Sequence, residues 1–207
     1  MGLFLSMSGV VGASGADVES ALKEYATARG GRFEPTTKKS PSWEVLILCE
    51  SDGNTTVVYP GEFFQWDDAA AHLSRSLDVP VFSFHIHDDD LWMYILFVAG
   101  EAVDQFNPIP DYWDGSLSDE DRRHWKGSPA VIARWGSPVQ EDAIRDYLVP
   151  WNLEDDDPGK AYEDDEYAYG DCWQLVDFMR KLKISYPFTA DGRPVGSTYV
   201  FEVEGKH

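Results

Sequence analysis

His85-Ile86-His87 runs directly into Asp88-Asp89-Asp90, so two imidazoles and three carboxylates fall within six residues. On a strand, residues two apart share a face, which puts His85 and His87 together on the side opposite Phe84 and Ile86. Two imidazoles so placed, joined by a carboxylate from a neighbouring strand, have the chemistry of a zinc or manganese site that activates water. The metal expectation therefore rests on His85 and His87, and it requires a third ligand and a pocket. The plainer expectation for the same residues is a strand on the solvated face of a sheet, ending in a charged hairpin turn.

A second constellation is acidic. Residues 152–171 carry Glu154, Asp155, Asp156, Asp157, Glu163, Asp164, Asp165, Glu166 and Asp171 against Lys160 alone. Neither acidic run has the alternating oxygen ligands and central glycine of a calcium loop. Interleaved Tyr162, Tyr167 and Tyr169 give the segment aromatic anchors as well as charge, the composition of a surface that meets a basic protein. The expected partner-binding residues are Glu154, Asp155, Asp156, Asp157, Tyr162, Asp164, Asp165, Glu166 and Tyr167. A solvated loop that serves solubility is the competing expectation.

The elements that position these residues are read from periodicity. Val18, Leu22, Tyr25 and Ala26 form a helical stripe that starts after Ser14 and Asp17 and stops at Gly30-Gly31. Trp66, Ala70, Leu73 and Leu77 repeat that spacing, with Asp67 and Asp68 in the first turn and Pro80 closing the segment. Three strand-like runs follow each helix: Gly31–Thr36, Trp43–Cys49 and Asn54–Tyr59, then Val81–His87, Leu91–Val98 and Glu101–Phe106. Asp52-Gly53 is a favourable hairpin turn. The offset between the two units, roughly 47 residues, is of the kind an internal duplication leaves, although side-chain identity between them is poor.

Past Phe106 the pattern turns helical. Ser128-Pro129 starts a helix that ends at Trp135-Gly136, Pro138 starts a second with the stripe Ala143, Ile144, Tyr147 and Leu148, and Asp171 caps a third through Leu182. Alternation in Ser197–Val203 predicts a last strand, and Leu3, Leu5 and Met7 predict a first. The expected fold is α+β, with a mostly antiparallel sheet from two helix-plus-three-strand units, helices on one face and a helical C-terminal portion. Residues 1–107 form the sheet-rich half and residues 108–207 the acidic helical portion of one single domain.

The chain has 207 residues, of which 43% are hydrophobic, enough for one sizeable core. Seventeen basic residues against 37 acidic ones give a net charge of −20. Nucleic acid is excluded as a ligand class, since a phosphate backbone needs clustered Lys and Arg, and anionic membrane surfaces are excluded on the same ground. The longest apolar run, Leu91–Ala99, is too short to span a bilayer. Cys49 and Cys172 read as small core hydrophobes in a reducing, cytoplasmic protein. No nucleophile elbow, phosphate-binding glycine loop or zinc-type cysteine spacing is present, and no cofactor is expected. The leading expectation is a non-enzymatic binding protein, inhibitor-like or antidote-like, whose acidic surface engages a basic protein. A metal-assisted hydrolase at His85 and His87 and a structural homo-oligomeric subunit are the alternatives.

Overall fold

The computed structural model describes residues 2–37, 44–136 and 139–204. The expected strand start at Trp43 and helix start at Pro138 lie outside the described residues. Eight strands are present: β1 (Leu5–Val10), β2 (Arg32–Pro35), β3 (Leu46–Ser51), β4 (Asn54–Val58), β5 (Val81–His87), β6 (Leu91–Val98), β7 (Glu101–Phe106) and β8 (Ser197–Glu202). They form one antiparallel sheet in the order β2-β8-β3-β4-β1-β5-β6-β7. Asp52 and Gly53 join β3 to β4 with positive φ at both positions, the geometry that matches the twist of a two-residue hairpin.

Helix α1 (Gly15–Ala28) begins where the Ser14 hydroxyl accepts from the Asp17 amide at 3.2 Å, relieving one unpaired N–H of the first turn. Its buried positions are Gly15, Val18, Ala21, Leu22, Tyr25 and Ala26. Helix α2 (Trp66–Leu77) buries Ala69, Ala70, Leu73 and Ser74. The two helices pack side by side on one face of the sheet, joined by Arg29 and the Tyr25 hydroxyl, which both bond the Asp68 carboxylate.

Strand alternation then divides the interior in two. Val10, Leu46, Leu48, Val57 and Val81 face α1 and α2, whereas Met7, Ile47, Val58, Phe82, Phe84 and Ile86 face the opposite side. There the C-terminal portion covers them with α4 (Pro129–Trp135) and α5 (Gln174–Lys181), while the short α3 (Asp119–His124) keeps no buried residue. Ser128 caps α4, and Pro129 stands in its first turn. Phe178 of α5 meets the rings of Phe84, Trp92, Tyr94 and Tyr147.

Two expectations need correction. The strands of the first helix-plus-three-strand unit are not all neighbours in the sheet, because β8 lies between β2 and β3. The helix expected around Ala143 and Tyr147 is instead a pair of 3-10 turns, Glu141–Ala143 and Arg145–Tyr147. The reason is local: the Tyr162 hydroxyl accepts from the Asp146 amide at 3.1 Å and donates to the Asp142 carbonyl at 2.7 Å. Those two backbone groups would bond each other in an α-helix, and an inserted hydroxyl breaks the ladder. Ile144 and Tyr147 are buried all the same.

Among the described residues, no helix is long and apolar enough to cross a membrane. Phe178→Ala should cost about 3–5 kcal/mol, the range for emptying an aromatic site in a packed core, read as a lowered midpoint in denaturant unfolding.

Candidate functional site

Polar residues on the α1/α2 face of the sheet build the site. In β1 and β5 the odd and even positions alternate between the two cores, so Ser8 lies beside Ser83, and Ser6 beside His85. Each of these polar groups finds a partner, as burial demands. Ser6 Oγ lies 2.9 Å from His85 Nδ1, Ser8 Oγ lies 2.8 Å from the Tyr59 hydroxyl, and Ser83 Oγ donates to the Asp67 carboxyl at 2.6 Å. Asp67 sits in the first turn of α2, where its burial raises its pKa and the Ser83 bond opposes that rise.

Where this polar strip runs out past the start of α2, a cleft of about 390 Å³ opens, lined by Phe4, Ser6, Tyr59, Pro60, Gly61, Phe64, Trp66, His85 and His87. The volume falls within the range of small-ligand pockets. His85 lies flat against Trp66, with centroids 4.6 Å apart and planes 8° from parallel. His87 is met by the rings of Phe4, Tyr112 and Trp113 at 4.9, 5.6 and 5.0 Å. The mouth is aromatic and open: Phe4, Phe64, Tyr112 and Trp113 are 47%, 70%, 36% and 55% exposed, half of the large exposed hydrophobic side chains among the described residues.

Carboxylates hold this rim in place. Asp88 and Asp89 make the β5–β6 turn with φ of 53° and 62°, a conformation that side chains other than glycine adopt at a cost and that Asp tolerates better than most. The Asp88 carboxylate accepts from the Gly2 amide at 3.0 Å, and the Asp89 amide donates to the Leu3 carbonyl at 3.3 Å. Both bonds dock the segment that carries Phe4. On the other side the Tyr112 hydroxyl donates to Asp90.

Burial sets the charge state within. Desolvation lowers His85 to a pKa of about 4, the charge interaction with the neighbouring His87 ring adds to this, and the Leu5 carbonyl offsets part of it. His85 is therefore uncharged at neutral pH. His85 and His87 do share a face, with centroids 5.7 Å apart. Yet His85 is buried rather than solvated, and no group of three or more His, Cys, Asp or Glu side chains is gathered to hold a metal among the described residues.

In comparisons with known protein families, known proteins and solved structures, nothing matches this chain. The geometry alone carries the functional argument.

The acidic segment divides. Glu154, Asp155, Asp156, Asp157, Glu163, Asp164 and Glu166 are exposed, as a binding surface requires. Asp165 is not: it is buried, accepting from the Tyr147 hydroxyl and, at 3.0 Å, from the Tyr162 amide. Tyr162 is spent on residues 142–146 and on packing against Tyr147. The Tyr167 amide, with that of Glu166, bonds the buried Asp177 carboxylate at 2.8 Å. Asp164 is paired with Lys181 at 2.7 Å. Backbone amides inside a folded loop need acceptors, so Asp165 and Tyr162 turn inward and leave the proposed surface.

The cleft residues Ser6, Tyr59, Phe64 and Trp66 were not singled out by motif. The available signal was faint: Ser6 and Ser8, like Ser83, His85 and His87, are polar residues two apart inside otherwise apolar strands.

The depressed pKa of His85 has a defined thermodynamic sign. Below pH 6.5 the unfolded chain takes up a proton that folded His85 refuses until about pH 4, so stability falls with pH across that window. The stability difference between wild type and His85→Gln should shrink by about 3 kcal/mol from pH 7 to pH 4, measured by urea unfolding at each pH.

Proposed function

We propose that this chain is a non-enzymatic binding protein for a basic protein partner, with the aromatic cleft as its anchor site and its acidic loops steering the encounter. The observation that carries this reading is the gathering of exposed aromatic side chains at one cleft, Phe4 and Phe64 in its lining and Tyr112 and Trp113 against its His87 ring, in a chain of net charge −20. Exposed aromatic patches of this kind are characteristic of interaction sites, and aromatics beside pockets dominate binding energy.

Charge and anchor meet at the same end of the sheet. Asp88, Asp89 and Asp90 form the turn that holds the rim, and Asp114 follows Trp113 directly. Asp171, at the end of the acidic segment, and Asp89 and Asp90 all bear electrostatically on the buried Cys172 thiol, which burial raises first of all.

The test is capture from a cell extract, with wild type, Phe64→Ala/Trp113→Ala and Asp88→Asn/Asp89→Asn/Asp90→Asn in parallel. Asn tolerates the left-handed turn, so the last variant removes charge and keeps the backbone. Wild type should retain basic proteins near 50 mM salt and release them as screening shortens the reach of exposed charges. The aromatic variant should retain at least about tenfold less, since losing two anchors costs more than about 1.4 kcal/mol. Equal retention by the aromatic variant, or no salt-sensitive basic protein at all, would overturn the reading.

A further inference from the structure

We infer that the group the cleft receives is the guanidinium of an arginine side chain presented by that partner, a step that rests on the binding reading above. The lining includes the rings of Phe4, Tyr59, Phe64 and Trp66, of which Phe4 and Phe64 are exposed, together with the imidazoles of His85 and His87, and it contains no Lys, Arg, Asp or Glu. Ring faces carry negative quadrupole density and attract cations, most of all where water is excluded. A planar, weakly hydrated guanidinium also stacks on such faces, whereas a compact ammonium does not.

Three further features favour a cation here. His85, a buried group of the lining, stays uncharged at neutral pH because burial disfavours its protonation. The Ser6 hydroxyl lies on the cleft wall, and a hydroxyl oxygen has lone pairs to accept from guanidinium N–H groups. Asp88, Asp89, Asp90 and Asp114 are exposed around the rim, so the field at the mouth is negative. The start of α2 contributes a positive helix end, but Asp67 and Asp68 stand in its first turn and counter it.

A neutral aromatic side chain would fit the same walls. It would gain nothing from the acidic rim, and charge complementarity therefore selects arginine. Lysine would gain from the rim and lose the stacking. The three side-chain chemistries separate cleanly in one experiment.

Three short basic peptides, identical except for a central arginine, lysine or citrulline, are titrated into the protein by calorimetry at about 50 mM salt. The other charges are the same in all three, so steering is common to them. Arginine should bind at least roughly fivefold tighter than lysine and roughly tenfold tighter than citrulline, on the scale of a desolvated cation–ring contact. That preference should vanish in Phe4→Ala/Phe64→Ala, whose two removed rings are exposed and should leave the unfolding midpoint unchanged. Lysine or citrulline binding as well as arginine would overturn the inference, as would a preference that survives in the double variant. If peptides show no preference while a basic protein is still captured through Phe64 and Trp113, the arginine inference falls and the binding reading stands.

Discussion

Six residue pairs between β1 and β5, from Leu5 opposite Ile86 to Val10 opposite Val81, fix the arrangement of everything else. β1 is the strand through which the two halves of the sheet meet, with β4 on its other edge. Side chains alternate along a strand, so a slip of β5 by one residue against β1 would turn Phe84 and Ile86 toward α1 and α2 and push Ser83 and His85 into the core beneath α5. That core is wholly apolar at these positions, and an unpaired serine or imidazole there would cost several times a normal hydrogen bond's net worth. One register therefore secures both cores and also lines Ser6 up with His85.

The same alternation explains what was legible in the sequence. α2 and strands β5 to β7 stand at the residues that periodicity indicates, since Asp67, Asp68 and Pro80 mark the helix limits and neighbouring turns bound each strand. These are local signals. The helix expected after Pro138 is replaced by 3-10 turns because a hydroxyl about twenty residues further along, that of Tyr162, takes its hydrogen bonds. The place of β8 between β2 and β3 is likewise invisible to any window of sequence, because its partners lie about 150 to 170 residues away. The cleft was half legible: His85 and His87 stood out by type, while Phe4, Tyr59 and Trp66 come from three separate stretches of chain that only the fold assembles.

Acidity is used in two ways. Asp165 and Asp177 act as acceptors for backbone amides and a tyrosine hydroxyl, and they tie residues 162–167 to α5. Arg180 lies 3.0 Å from Asp177 and 3.4 Å from Asp165, so the buried carboxylates do not stand uncompensated. The remaining carboxylates of the segment are thereby free to face water on a loop with a defined path. Near the cleft the division is the same, with Asp67 outside the lining and turned to Ser83, and Asp88 to Asp90 exposed. A net charge of −20 thus includes groups that build the fold and groups that only project a field, and composition alone does not separate them.

The position of β8 also sets the order in which the molecule can be made. β2 has one neighbour in the sheet, and that neighbour is the last strand of the chain. During synthesis, β1 and β4 to β7 have every partner they need by the time residue 106 emerges, and β3 has β4, one of its two. The bonding edges of β2 and β3 must then wait for about 90 further residues before β8 fills the gap. Until that moment the nascent chain exposes an unsatisfied strand edge on β3. A chaperone, or a second nascent chain, would find its opportunity in that interval.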